Sequence, residues 1–192
     1  VLSSVYDRGY AVTVDGQTRE ACDPYARTTG VNGKRAMVID LASTDPEGWE
    51  NDVRPALGSF ADIVVYEMHH RDFSIDSVSG ITNKGKFLAL TEEGTKSSLG
   101  EKTGIDHLKE LGVNHVHILP SYDYASVDES KLESNQYNWG YDPVNYNIPE
   151  GSYASDPTRG EVRIREMKEA IMALHRDGFR VIMDVVYNHT YY

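Results

Sequence analysis

Cysteine is almost absent: Cys22 stands alone among 192 residues. No intrachain disulfide can form. That leans towards a reducing compartment, yet many secreted enzymes also lack disulfides, so both settings stay open. Basic residues are scarce beside acidic ones, 19 Lys and Arg against 30 Asp and Glu, for a formal net charge of −11. Such a balance argues against a nucleic-acid phosphate partner, whereas a neutral ligand such as a sugar is indifferent to it. No apolar run approaches the ~20 residues of a membrane span. No glycine-rich phosphate loop follows the first barrel-type strand pattern, Ile63–Glu67, which speaks against a dinucleotide-binding sheet. Val1 stands where an initiator Met would, and no signal-peptide pattern is present, so the amino end reads as a cut.

What is present is ordinary for a globular protein of one domain or slightly more: 40% hydrophobic and 26% charged residues. Thirteen Tyr and two Trp are a generous supply of rings. Residues 1–45 read as β structure. Tyr10, Val12 and Val14 alternate with Ala11 and Thr13 before an Asp15-Gly16 turn. Asp23-Pro24 marks another turn, and Ala36–Leu41 reads as a further strand after Asn32-Gly33. Two or three strands make no stable sandwich alone, so this segment reads as the tail of a β domain. Residues 46–60 form a polar linker, with Trp49 expected to pack at a domain junction.

From residue 61 the pattern is strand, long loop, helix, twice over, then strand. The strands are Ile63–Glu67, Val113–Leu119 and Arg180–Val186. The helices carry Ile105, Leu108 and Leu111, stopped by Gly112, and then Ile164, Met167, Ile171 and Leu174 within Glu161–Arg176. Thr158 and Glu161 have capping-box spacing. Both long loops, about 74–100 and 121–156, follow strands, and the returns are short. That asymmetry belongs to a barrel carrying its site at the carboxyl ends of its strands. The expected fold is α/β: strands one to three of a partial TIM (β/α)8 barrel, preceded by the end of a β-sandwich module.

Position and chemistry together mark several residues. Asp184, Asn188 and His189 follow the apolar run of the last strand. His115 and His117, two apart on a strand, face the same way and are half of a possible metal site, or else barrel-lining histidines bonded to neighbours. His69 and His70 point to opposite faces. Glu67 is an expected salt-bridge partner for Arg71 or another basic group. The loop Tyr137-Asn138-Trp139-Gly140-Tyr141-Asp142-Pro143 offers rings with Asn and Asp arms, a combination suited to the apolar faces and hydroxylated rims of sugars; a loop packed on itself is the equal alternative.

With these stretches in hand, the chain resembles glycoside hydrolase family 13, the α-amylase family. Asp184-Val185-Val186-Tyr187-Asn188-His189 is similar to the family's first signature, and Gly112–Pro120 to its second strand. The stretch at 137–143 resembles the type I pullulanase branch. Val65–Phe73 resembles the first strand of debranching enzymes, and Asp23-Pro24-Tyr25-Ala26 the end of a carbohydrate-binding-type sandwich. The resemblance implies cleavage of α-1,6 bonds in pullulan, starch or glycogen with retention. Isoamylase, branching enzyme, a non-catalytic carbohydrate-binding protein and a metal-dependent barrel hydrolase are the alternatives.

It further implies that Tyr141 stacks under the sugar, His189 and Asp142 contact it, and Trp139 lines the cleft, while Asp184 and Asn188 support the site. No cofactor is implied, with calcium at Asn188 left open because some amylases bind it there. Asp177-Gly178-Phe179-Arg180 resembles the start of the nucleophile strand. However, Ile182 stands at the nucleophile position, and hydrocarbon cannot attack a glycosidic carbon. The catalytic carboxylates, which retention places ~5 Å apart, are expected beyond Tyr192. The chain alone is therefore expected to be inactive and, as an open barrel portion, unstable. Its expected partners are an α-glucan and the remainder of the barrel, with neither nucleic acid nor membrane. His117 departs from the family's usual residue.

Overall fold

The computed structural model describes residues 6–191, so the reading of Val1 lies outside the described residues. Two compact units are present: Val1–Thr44 with Tyr122–Ile164 and Val185–Tyr192, and Asp45–Ser121 with Arg165–Asp184. No described helix is long and apolar enough to cross a membrane.

In the first unit, β1 (Tyr6–Val14) and β2 (Gln17–Cys22) form an antiparallel hairpin, and β3 (Ala36–Val38) pairs antiparallel with the other edge of β1. The expected strand Ala36–Leu41 stops at Val38. Asp40 takes over there: its Oδ1 accepts from the Ala42 amide at 3.1 Å, its carbonyl from Ser43, and the chain turns. The stretch 121–156, read as a loop, contains a second antiparallel pair, β6 (Tyr122–Tyr124) and β7 (Pro143–Pro149). Prolines bounding β7 disguise it, since proline argues against a strand unless it sits at an edge or an end. Ala26, Ala36 and Ile148 form a small apolar core with Cys22 against it. Burial, with Asp123 and Asp23 adding, pushes the Cys22 thiol up to about 11, so it is an inert packing group rather than a nucleophile.

The interior of this unit also holds a buried charged cluster. Arg163 is fully buried. Its guanidinium meets both oxygens of Glu129, at 3.0 and 2.6 Å, and donates to the carbonyls of Gly30, Pro149 and Pro157. Glu129 also accepts from the amides of Asn32 and Gly151, at 2.7 and 2.9 Å. A Cβ on Gly151 would stand 2.2 Å from Glu129 Oε1 and 2.4 Å from Arg163 Cζ, so only glycine fits that close approach. Asp123 and Glu150 are buried beside this pair. Burial, reinforced by Glu129, pushes the Asp123 carboxyl up to about 7, and Glu150 rises well above the carboxylate range for the same reasons.

In the second unit, β4 (Val65–Met68), β5 (His115–Ile118) and β8 (Arg180–Met183) form a parallel sheet in the order β4-β5-β8. Strands β4 and β5 begin later than the apolar runs predict. Asn114 substitutes for ladder bonds there, its Oδ1 accepting from Val64 N–H at 2.9 Å and its Nδ2 donating to the Asp62 carbonyl at 2.7 Å. The last strand ends at Met183 rather than Val186, with the Asp184 amide making the final bond, to the Ile118 carbonyl.

Helix α1 (Gly104–Leu111) buries Ile105 and Leu108. Leu111, expected on the same face, is instead 50% exposed at the helix end. Helix α2 (Gly160–Arg176) gives its residues up to Ile164 to the first unit and the rest to the second. The capping box does not form: Thr158 Oγ1 donates to Asp156 at 2.6 Å, and Glu161 is held by Arg159 at 2.7 Å. Trp49, expected at a domain junction, lies under the Lys168 ammonium, 5.3 Å from its ring centre. Lys168 also pairs with Asp45, and His175 Nδ1 lies 2.7 Å from Asp52. The segment 45–52 is thereby tied to α2. Glu67 faces the imidazole of His117 at 3.4 Å, a basic partner other than Arg71, and Arg71 lies 3.3 Å from Asp72.

His69 and His70 are both buried, and His70 stacks edge-on against Phe87 with ring centres 4.9 Å apart. Burial, with His69 adding, lowers the His70 imidazole to about 3. Between pH ~6.5 and 3 the unfolded chain then binds a proton that the fold refuses. This stabilisation is full above pH ~6.5 and falls by ~1.4 kcal/mol per unit below it. Hydrogen exchange of segment 113–120, expressed as an opening free energy, is expected to show that decline in the full-length protein. A His70→Gln variant should lose the slope.

Candidate functional site

The aromatic loop of the first unit is built from its polar residues outward. Gly140 has φ +93°, a left-handed value that Cβ-bearing residues rarely adopt. Asn138 fixes this bend twice: Oδ1 accepts from the Gly140 amide at 2.7 Å, and Nδ2 donates to Asp142 Oδ1 at 2.7 Å. The other Asp142 oxygen accepts from Ser126 Oγ, and the Asp142 carbonyl accepts from the Ala125 amide at 3.1 Å. Asp142 therefore closes the base of the loop, with each carboxylate oxygen engaged once.

The result is a set of rings turned outward. Trp139 is 61% exposed, Tyr137 47% and Tyr141 41%. Exposed aromatic faces this dense are unusual without a ligand. Gly140→Ala is expected to strain the bend by ~1–2 kcal/mol. Thermal denaturation should then show a lower midpoint for the variant than for the parent.

The carboxyl-terminal segment lies against this loop. His189 Nε2 is 2.8 Å from the Tyr141 carbonyl, which can only accept, so Nε2 carries the proton and Nδ1 is the acceptor in the neutral ring. Tyr146 OH donates to the His189 carbonyl at 2.8 Å, and the Tyr191 amide to the Pro143 carbonyl at 2.9 Å. The Tyr146 and Tyr187 rings meet edge-on, 5.5 Å apart. Tyr141, Asp142 and His189 are thus joined through one loop, with Trp139 on its crest. Asn188 is exposed on the same segment.

Asp184 belongs to the second unit. It sits just past β8, half-buried, with Oδ2 4.0 Å from His117 Nε2. His115 Nδ1 is bonded to Asn114 Oδ1 at 2.7 Å, while His117 lies between Glu67 and Asp184. Among the described residues, the group with metal-ligand geometry is Asp123, Glu129 and Glu150, well apart in sequence from Asn188. The Arg163 guanidinium already meets that cluster through both Glu129 oxygens.

Ser126 and Tyr146, which shape the loop, were not singled out by the sequence, and Asn138, read there as an arm for a ligand, locks the bend instead. The Asn-x-Gly spacing was the available signal for that role. Nothing local marks Ser126 or Tyr146, whose partners lie 16 and 43 residues away.

Comparison with known proteins places these features. The sequence family described as alpha amylase, catalytic domain, matches residues 73–192. The chain is 44% identical over 186 residues to a pullulanase of Bacillus subtilis, covering 97% of the chain and 25% of that protein. It is 38% identical to the chloroplastic pullulanase 1 of Arabidopsis thaliana, covering 92% of the chain and 21% of that protein. Among solved structures, the pullulanase of Paenibacillus barengoltzii, complexed with maltohexaose and alpha-cyclodextrin, superposes with a TM-score of 0.94 at 57% identity. That match covers 97% of this chain and 29% of the other. The chain spans about a quarter of the length of the curated relatives it matches.

Proposed function

Because the chain belongs to the α-amylase family, whose catalytic-domain pattern covers residues 73–192 and implies a partial TIM barrel, we propose that it is the early barrel portion of a debranching hydrolase that cleaves α-1,6-glucosidic bonds with retention. In this reading β4, β5 and β8 are barrel strands one to three. Residues 1–45 are the end of a β-sandwich module, 46–60 the linker, and 61–192 the beginning of the barrel. The edges of β4 and β8 continue into the remaining strands. Val65 and Ile182, 46% and 37% exposed here, become interior.

The observation that carries the reading is the outward-turned ring set of the Asn138–Asp142 loop, locked by hydrogen bonds at its base. Tyr141 supplies the stacking face for a glucosyl unit, and Trp139 extends it. His189, with Nε2–H spent on the Tyr141 carbonyl, presents Nδ1 to a sugar hydroxyl. Asp142 holds the loop and offers its remaining lone pairs at the rim. Asp184 and Asn188 support the site, and the attacking and protonating carboxylates come from later strands. The substrate is a branched α-glucan such as pullulan, amylopectin or glycogen.

The test is to incubate pullulan with the full-length protein and, separately, with the 192-residue chain. The expected result is maltotriose from the first and no product from the second. Cleavage by the 192-residue chain would mean that the catalytic carboxylates lie within it.

A further inference from the structure

His117 has a role that neither the sequence pattern nor the family relationship assigns. Its ring stands in a row of three ionisable side chains at the carboxyl ends of neighbouring strands: Glu67 on β4, His117 on β5 and Asp184 just after β8. Glu67 and His117 are paired in register, and Asp184 lies two residues beyond Ile182, the register partner of His117. Alternate residues share a face of a strand. The three side chains therefore project from the same side of the sheet.

The ring is oriented along that row. Nδ1 faces Glu67 Oε2 at 3.4 Å, and Nε2 faces Asp184 Oδ2 at 4.0 Å. An imidazole has one nitrogen at each end of its long edge, and each end here is occupied by a carboxylate. Both separations are ion-pair contacts rather than close hydrogen bonds. Burial grades along the row, with side-chain exposures of 65% for Glu67, 29% for His117 and 25% for Asp184. The outer carboxylate is therefore exchangeable with solvent, while the inner two groups are held. His115, on the same face two residues earlier, is tied to Asn114 and contributes nothing to the row.

We propose that His117 is a positioning residue for the hydrolytic site. It fixes the carboxylate of Asp184, and Glu67 fixes the orientation of the His117 ring. The inference rests on the debranching reading, in which Asp184 belongs to the site's supporting layer. It assigns no bond-making step to His117. A residue acting only through Asp184 has a definite signature: once Asp184 cannot respond, changing His117 has no further effect on the reaction. A residue that acts independently of Asp184 lacks this signature, because its effect adds to that of Asp184→Asn.

The experiment is a double-mutant cycle in the full-length protein: His117→Gln, Asp184→Asn and the pair, with Glu67→Gln as a solvent-exposed variant. kcat and KM are measured on pullulan and on amylose, and thermal denaturation is run in parallel. His117→Gln is expected to lower kcat by roughly ten- to a hundredfold, in line with a small displacement of a site group, with KM little changed. Glu67→Gln should lower it several-fold in the same direction. In the Asp184→Asn background, His117→Gln should cost less than about twofold.

Independent, additive losses would overturn the assignment. So would unchanged kcat in both His117→Gln and Glu67→Gln. Cleavage of amylose but not pullulan would instead reject the debranching reading, and the same cycle would then be scored on amylose.

Discussion

Replacement of Tyr141 by alanine in the full-length protein is expected to lower kcat/KM on pullulan by about a hundredfold, the largest catalytic effect expected from the aromatic loop. Covering a ring of this size with a sugar face removes enough apolar surface from water for ~2–3 kcal/mol. At 1.4 kcal/mol per tenfold, that corresponds to about two orders of magnitude. The backbone at this position is held independently, because His189 Nε2–H grips the Tyr141 carbonyl and Asn138 grips its two neighbours. Truncating the side chain therefore removes the ring without unlocking the loop. Tyr141→Phe keeps the face and should stay within a few-fold of the parent. Steady-state kinetics of the two variants separate stacking from any contribution of the hydroxyl.

The second large effect is on folding. Arg163→Met is expected to destabilise the protein by ~3–5 kcal/mol, the usual cost of breaking a buried ion pair from one side. Arg163 and Glu129 have side-chain exposures of 0% and 2%, and Asp123 and Glu150 are buried with them. Removing the guanidinium leaves these carboxyl groups facing one another. It also frees the carbonyls of Gly30, Pro149 and Pro157 of their donor. The raised Asp123 carboxyl sets the pH trend. Its proton is bound more tightly in the folded form, so its contribution is full below pH ~3.8 and is lost as pH rises towards about 7. Thermal denaturation of Arg163→Met should show a markedly lower midpoint, and the deficit should widen from pH 5 to pH 8 as more negative charge collects in the cluster.

The parallel sheet was legible because its signal is local. Apolar runs bounded by Gly and Pro, with 3.6-residue periodicity between them, place β5, α2 and β8 to within a few residues. Their ends were misjudged where a side chain replaced a ladder bond, as at Asn114, or where the chain turned on its own carboxylate, as at Asp40. The pair β6–β7 was hidden because Pro143 and Pro149 bound it and 18 residues separate its strands. The charged interior around Arg163 was illegible for a deeper reason. Glu129, Glu150 and Arg163 look like solvated surface in any window, and only contacts spanning up to 133 residues reveal them as core. At the site, residue types identified Tyr141, Asp142 and His189 as candidates. What the sequence did not show is that Asp142 closes the loop with Ser126 and Asn138, or that His189 is bonded to the backbone of Tyr141.

The most direct test of the proposed activity is proton NMR of pullulan during hydrolysis by the full-length protein. The expected result is selective loss of the α-1,6 anomeric signal, with the new reducing ends appearing first as the α-anomer. Persistence of the α-1,6 signal while α-1,4 signals decay would contradict it.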